Sequence, residues 1–253
     1  MWPDPITLYA FVACGAVALA AGVVKGMVGF AMPMVLISGM SSFLTPELAL
    51  AGLIFPTLVT NGMQALRQGI GAAIKSVMRV KVFGIVGMAT LIAASQLVLL
   101  IPQQLFFLVL GVPITIYAIA MLAGAPLRVS QTSWVASVGM GVVAGFFGGI
   151  SGVWGPVTVA YLTAYDLAKE EHMRIQGVIY GTGAVLLVLA HSASGVLNSQ
   201  TLPFSAALII PAVIGLWIGF AIQDRMDQRV FRKATLIVLC VAGVNLIRRG
   251  LGF

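Results

Sequence analysis

The fold is decided by residues 21–33, AGVVKGMVGFAMP, where glycines and a proline interrupt a long apolar stretch. Lys25 is the only charged residue between Asp4 and Glu47. A cation at membrane depth is costly unless it has a partner or faces a watery cavity. Broken helices at that depth are tolerated only where protein surrounds them or where they line a cavity. The stretch therefore favours an anion site at a helix break over a lysine that merely extends its ammonium to the interface.

The composition around this stretch is that of a membrane protein. Of the 253 residues, 60% are hydrophobic and 8% are charged, and the mean hydropathy is +1.07. Residues 82–127, 129–165 and 175–223 contain no Asp, Glu, Lys or Arg. Each of these segments exceeds the roughly 20 residues that cross a bilayer. We therefore predict an all-α polytopic membrane protein, and the first residues, MWPDP, lack the basic region of a signal peptide.

Composition and motifs also exclude several functions. The net charge of +7 comes from basic residues in short loops, which orient a membrane protein and do not indicate nucleic-acid binding. Cys14 and Cys240 lie far apart in apolar segments and are interpreted as small buried hydrophobes. The sequence contains no P-loop, GxSxG or HExxH motif and only two histidines. No cofactor, metal site or enzymatic activity is predicted.

The chain is predicted to contain two copies of one unit, residues 1–126 and 130–253. Two uninterrupted spans follow the broken stretch in each copy, at about 80–101 and 104–123 and at about 204–223 and 231–248. Internal repeats indicate a fold built from repeated units. Two pairs of segments align between the copies: 22–29 (GVVKGMVG) with 141–148 (GVVAGFFG), and 51–57 (AGLIFPT) with 176–182 (QGVIYGT).

The topology depends on the broken stretches 6–44 and 132–165, each of which either crosses once or doubles back as a hairpin. Residues 6–44 would form one helix of roughly 58 Å, nearly twice the roughly 30 Å hydrocarbon core. With hairpins, the loops carry eleven Lys and Arg inside and two outside; with single crossings the split is seven to six. The positive-inside bias favours hairpins. We predict two inverted-topology repeats, each a broken hairpin plus three spans, about ten helical segments, with both termini extracytoplasmic.

Matching helix breaks in inverted repeats are the best sequence indication of a substrate site at the membrane midplane. We expect the two hairpin tips to meet and to present backbone N–H groups to an anion. The alternative is that the glycines only permit close helix packing. The first tip contributes Lys25, Gly26, Gly29 and Phe30, and the second contributes Gly148, Gly149, Ser151, Gly152, Trp154 and Gly155.

The helices after the two hairpins add polar side chains that could complete the site. Asn61 and Gln64 are three residues apart and share a helix face. His191 is either a proton carrier or a packing residue. The apolar segments contain no acidic residue, which argues against a carboxylate-based ion relay. The candidate substrate-binding residues here are Thr57, Asn61 and Gln64 in the first copy and Gln176, Tyr180 and Thr182 in the second, with Thr60 as a further polar group.

These features resemble the sulfite exporter TauE/SafE family of bacterial membrane transporters over essentially the whole chain. The resemblance depends on the doubled Gly-rich turn (GMVGF at 26–30 and GFFGGISG at 145–152), on Thr57 and Thr182 after it, and on ALRQG at 65–69. It implies transport of small sulfur oxyanions and organosulfonates across the inner membrane. The chain departs from the family in having Phe30-Ala31-Met32-Pro33 where more glycine is usual, and Lys25 where a small residue is expected.

The sequence thus predicts a secondary transporter of a small sulfur-containing anion (sulfite, thiosulfate or an organosulfonate) that works by alternating access. A passive anion channel and an intramembrane enzyme subunit are the alternatives. The predicted partners are the anion and membrane lipid, and nucleic acid is excluded. A co-transported proton or ion, the direction of transport and a homodimer are left open.

Overall fold

The computed structural model of the chain describes residues 7–95, 103–125, 133–151, 155–165, 167–193 and 195–252. Within these ranges every regular element is a helix, which confirms the predicted all-α class. Five helices are long and apolar enough to cross a membrane, or six if the bent pair α4–α5 counts as one span. The helices are α1 (Leu8–Val28), α2 (Met32–Met40), α3 (Pro46–Leu66), α4 (Ile70–Arg79), α5 (Lys81–Ser95), α6 (Gln103–Leu122), α7 (Trp134–Ser151), α8 (Gly155–Ala164), α9 (Lys169–Ala193), α10 (Thr201–Ala207), α11 (Ile209–Arg225) and α12 (Gln228–Gly250).

The helices form two compact units that differ from the two sequence repeats. Unit 1 contains Met1–Ala73 and Met173–Asp227, and unit 2 contains Ile74–His172 and Gln228–Phe253. Each unit therefore combines helices from both halves of the chain. The division into repeats at 1–126 and 130–253 stays a prediction, and its boundary at 126–130 lies outside the described residues. Cys14 is fully buried in an apolar core in unit 1, as expected, whereas Cys240 is only partly buried, and both cysteines are free.

The first broken stretch is more helical than the sequence predicted. The Thr7 hydroxyl accepts a hydrogen bond from the Ala10 N–H at 3.1 Å and starts α1, which continues for 21 residues. Gly29, with φ of 88°, ends it, and its N–H donates to the Lys25 carbonyl at 2.7 Å. The break is confined to residues 29–31. The prediction that Lys25 lies in the break is therefore wrong, since Lys25 occupies the last turn of α1.

The chain doubles back after this break, as the hairpin interpretation expected. α2 packs against α1 with Gly39 beside Val17, and the rings of Tyr9 and Phe43 lie 6.1 Å apart near the start of α1. Ala31, at the turn, has φ of 71°, the one positive value at a non-glycine residue among those described. Such backbone strain persists only where the surrounding packing imposes it.

The directions of the helices in unit 1 also fit a hairpin. Lys25 of α1 contacts Asn61 of α3, and Gly29 contacts Gln64, so α1 and α3 run parallel. A single crossing by residues 6–44 would make them antiparallel. On α9, Gly177 packs against Ala65 whereas Gly181 faces Asn61, so α3 and α9 run antiparallel.

In unit 2, α7 extends further than the sequence predicted. The binding loop expected at 145–156 is helical up to Ser151, and only residues 152–154 fall between α7 and α8, outside the described range. Gly145 of α7 packs directly on the backbone of Gly87 in α5. The loop prediction is wrong for 145–151, which is helical, and Gly145 supports helix packing there.

The last helices of the two sequence repeats, α6 and α12, pack against each other inside unit 2. Gly111 faces the Gly243 carbonyl, and Gly243 faces the Gly111 carbonyl. Leu108 lies beside Gly250, whereas Thr115 lies beside Gly243. The two helices therefore run antiparallel, as equivalent helices of inverted repeats would.

A helix that the sequence analysis did not predict, α4, replaces the expected loop at 68–79. It is bent by 74° relative to α5. Ile70, Ile74 and Met78 are exposed, whereas Ala73 and Ser76 are buried. The four-residue spacing of the exposed apolar side chains is the signal that could have identified this amphipathic helix.

Candidate functional site

A buried cation lies at the end of α1 in unit 1. Lys25 is only 1% exposed, and its ammonium donates a hydrogen bond to Oδ1 of Asn61 on α3. The Asn61 amide carries no charge. Within the described part of the chain, no carboxylate lies within ion-pair distance of Lys25. A buried charge with a neutral partner is costly, and an anion would relieve that cost.

Gln64 holds the break beside this cation. Its Nε2 donates to the Gly29 carbonyl at 3.1 Å and to the Met173 carbonyl at 2.7 Å, so one side chain of α3 connects α1 and α9. Both amide hydrogens are therefore used, and Oε1 is buried without a partner. Gln64 is better suited to positioning the backbone than to donating to an anion. The Met173 carbonyl was missed by sequence reasoning, because a backbone contact leaves no compositional signal.

Gln176 on α9 reaches the same break, and its amide still has hydrogen-bonding capacity. It is fully buried, and neither amide atom has a partner. Its Oε1 occupies the space that a side chain at Gly29 would need, since a Cβ there would fall 1.6 Å away. Gly29 is thus required both by its backbone angle and by this contact. A primary amide offers two N–H donors, and here both are available to an acceptor.

Thr57 completes one face of α3. Thr57, Asn61 and Gln64 recur at intervals of four and three residues, so their side chains share a face. The Thr57 hydroxyl is buried and has no partner. The neighbouring Thr60 hydroxyl donates to the Pro56 carbonyl at 2.6 Å and lies 3.2 Å from the Met32 sulfur, which fixes α3 against α2. We call Lys25, Thr57, Asn61, Gln64 and Gln176 the Lys25 cluster.

Other predicted residues of α9 differ in their placement. Tyr180 is buried, and it lies one turn after Gln176 on the same face. Thr182 is exposed, and its hydroxyl donates to the Val178 carbonyl at 3.0 Å, so it does not join the cluster although it aligns with Thr57. His191 lies fifteen residues after Gln176, roughly 22 Å along the helix, which separates it from the cluster.

Gly26 was predicted to donate a backbone hydrogen bond to the anion, and the structure corrects this prediction. Gly26 lies inside α1, where its N–H belongs to the helix, and a Cβ there would fall 2.4 Å from the Leu216 carbonyl of α11. Gly26 therefore allows two helix backbones to approach and has no free N–H to offer an anion. Phe30 is 3% exposed and fills the break itself.

The predicted residues of the second hairpin are only partly described. Gly148 is buried in α7, and Gly155 begins α8. Gly152 and Trp154 lie outside the described residues, and the surroundings of Gly149 and Ser151 are not described either. A contribution of these residues to the site, and the expected meeting of the two tips, stay predictions.

Comparison with known proteins identifies a family. The family model described as Sulfite exporter TauE/SafE matches residues 14–246, a range that contains the whole Lys25 cluster. No curated protein and no solved structure matches the chain.

Proposed function

Because the chain belongs to the sulfite exporter TauE/SafE family, we propose that it is a secondary transporter that moves a small sulfur-containing anion across the bacterial inner membrane. Sulfite, thiosulfate and organosulfonates are the proposed substrates. The observation that carries the proposal is the burial of Lys25 with a neutral amide as its partner. Its charge matches that of an oxyanion, and the site carries no competing carboxylate within the described residues.

The hydrogen-bond donors of the Lys25 cluster suit a ligand that only accepts. The Lys25 ammonium has three N–H donors, of which one is directed to Asn61. The Gln176 amide and the Thr57 hydroxyl have no other partner. A sulfur oxyanion offers several acceptor oxygens at short spacing and could bind these donors together. Gln64 would keep the break in position while the anion binds.

Access to the cluster requires helix movement. Its five side chains are each 5% exposed or less, so neither face of the membrane is open to them in this structure. Alternating access would open the site to one face at a time. Movement at residues 29–31 is the simplest local route, since Gly29 and Ala31 both hold left-handed backbone angles there.

The helix directions within each unit support the proposed inverted-repeat topology. α1 runs parallel to α3, and α6 runs antiparallel to α12, as two hairpins of opposite entry require. Inverted repeats with broken helices are the usual framework of secondary transporters. The distribution of loop charges then orients both termini outward.

Replacing the cation tests the proposed function. In Lys25→Met, substrate affinity should fall by at least a hundredfold, because an anion would lose its charged partner in a buried site. Binding of sulfite, thiosulfate and taurine to the purified protein in nanodiscs would be measured by calorimetry, and uptake in proteoliposomes.

The same variant separates binding from a structural role. Without ligand, Lys25→Met should be at least as heat-stable as the original protein, because an unpaired buried charge has been replaced by an apolar side chain. Unchanged substrate affinity in Lys25→Met would contradict the proposed site. Electrogenic flux that does not saturate with substrate would instead indicate a passive anion channel.

Topology is tested by labelling single cysteines in a background without Cys14 and Cys240. Gly71 and Asp227 are exposed and should be protected from an impermeant maleimide in intact cells, whereas Ser199 should react. Single crossings would reverse the results at Asp227 and Ser199, and that pattern would exclude the inverted repeat. Ser76, in the middle of the predicted loop, is unsuitable as a probe because it is buried.

A further inference from the structure

Unit 2 contains a pocket that the proposed function does not use. It lies where α8, the start of α9 and the start of α12 meet, and its space of about 230 Å³ includes solvent at its open side. Thr163, His172, Arg232 and Thr235 contribute its polar lining, together with Gln228. Every one of these residues belongs to unit 2, whereas the Lys25 cluster belongs to unit 1.

Three polar atoms in the pocket are buried without a partner. They are the hydroxyl oxygens of Thr163 and Thr235 and Nε2 of His172, and none of the three residues is more than 4% exposed. Buried polar groups in proteins almost always have a partner, so each exception calls for an explanation. Three exceptions around one pocket indicate a ligand that binds them together.

The surroundings hold these groups in place. The Gln228 amide donates to the Leu167 carbonyl at 2.7 Å and accepts from the Lys169 N–H at 2.9 Å, so both ends of the amide are held at the wall of the pocket. The Phe231 ring meets the His172 imidazole edge-on, with centroids 5.5 Å apart. The side chains are thus oriented before any ligand arrives.

The lining favours an acceptor with negative charge. Two hydroxyls and an imidazole can each donate a hydrogen bond, and the Arg232 guanidinium is a donor that carries positive charge. No carboxylate lines the pocket within the described residues. We propose that this pocket binds a small inorganic oxyanion at a second site, independent of the Lys25 cluster.

The experiment uses the full chain carrying Lys25→Met, so that the first site cannot contribute. Sodium sulfate is titrated into the purified protein against sodium gluconate of equal ionic strength, and binding is followed by calorimetry and by the melting temperature. We expect sulfate binding in Lys25→Met. Thr163→Val with Thr235→Val should weaken it about a hundredfold, or about tenfold for each hydroxyl, which corresponds to about 1.4 kcal/mol apiece.

Thr115→Val is the matched control. Thr115 is buried in the same unit, but its hydroxyl already donates to the Gly111 carbonyl at 2.7 Å, so sulfate binding should not change. Thr163→Ser with Thr235→Ser keeps both hydroxyls and should retain binding. If the double valine variant does not fold, Thr235→Val alone gives the answer.

Two results would overturn the second site. One is the absence of sulfate binding in Lys25→Met, and the other is equal sulfate affinity with and without the two hydroxyls. Neither result bears on transport through the Lys25 cluster, which is judged by comparing the original protein with Lys25→Met.

Discussion

The first helices of the two predicted hairpins, α1 in unit 1 and α7 in unit 2, share their packing and differ in their chemistry. In α1, Gly22 and Gly26 lie against the backbone of α11; in α7, Gly141 and Gly145 lie against the backbone of α5. The residue before the second glycine is Lys25 in α1 and Ala144 in α7. Both are buried, but only Lys25 brings a charge. The comparison shows that the repeated glycines support helix packing in both helices, whereas the buried charge proposed to bind the anion is present only in α1.

The largest expected effect comes from the shared packing. A Cβ at Gly22 would fall 2.2 Å from the Ala212 carbonyl, and one at Gly145 would fall 2.2 Å from the Gly87 carbonyl. Gly22→Ala with Gly26→Ala, and Gly141→Ala with Gly145→Ala, should each lower the stability of the protein by about 4 kcal/mol or more, at about 2 kcal/mol for each overpacked site. Folded yield and melting temperature in detergent would measure this.

Gly15→Ala in α1 and Gly139→Ala in α7 are the matched controls. No atom lies within 4 Å of the Cβ position at either glycine, so these variants should be neutral or slightly stabilising. Gly111 is not a suitable control, although the sequence places it in an uninterrupted span, because it packs on Gly243. Equal tolerance of the paired and the control positions would refute the packing role.

The next largest expected effect concerns the aligned position that is Lys25 in α1 and Ala144 in α7. Ala144→Lys places a buried cation in α7, and it should destabilise the protein by about 2.5–3.5 kcal/mol. Lys25→Ala should remove substrate binding at the Lys25 cluster without such a loss. The double variant Lys25→Ala with Ala144→Lys should fail to restore binding, as measured by calorimetry. Restored affinity in the double variant would show that the two helices are interchangeable, contrary to the comparison.

The sequence predicted the parts of the site that depend on composition and spacing. Lys25 was identified by its isolation, Asn61 and Gln64 by their shared face, and Thr57 by its alignment with Thr182. The structure places Lys25 against Asn61, and it places Gln64 and Gln176 at Gly29. The sequence could not predict how far each helix extends. In the sequence, Gly26 and Gly145 are equally compatible with a loop and with a helix that packs closely on another helix. Only the position of the neighbouring helix distinguishes the two.

Two further differences have different physical causes. α4 was missed because its short amphipathic pattern was read as a loop between long apolar spans, although its spacing was visible in the sequence. Thr182 was placed in the site because it aligns with Thr57. Its direction depends on how α9 is rotated about its own axis, and a helix that is apolar on most sides gives little indication of that rotation.

The smallest expected effect concerns these two aligned threonines. The buried Thr57 hydroxyl has no partner, whereas the exposed Thr182 hydroxyl is bonded to its own helix. Thr57→Val should weaken substrate binding about tenfold, since a hydrogen bond to a charged ligand contributes about 1.5–3 kcal/mol. Thr182→Val should leave the affinity unchanged. Calorimetric titration of both variants with the same substrate measures this difference. Threonine and valine have nearly the same size, so each substitution tests the hydroxyl alone. If both variants lost affinity equally, the threonine of the second repeat would belong to the site after all; if neither did, Thr57 would be a packing residue and the Lys25 cluster would bind its anion through the ammonium and the amides alone.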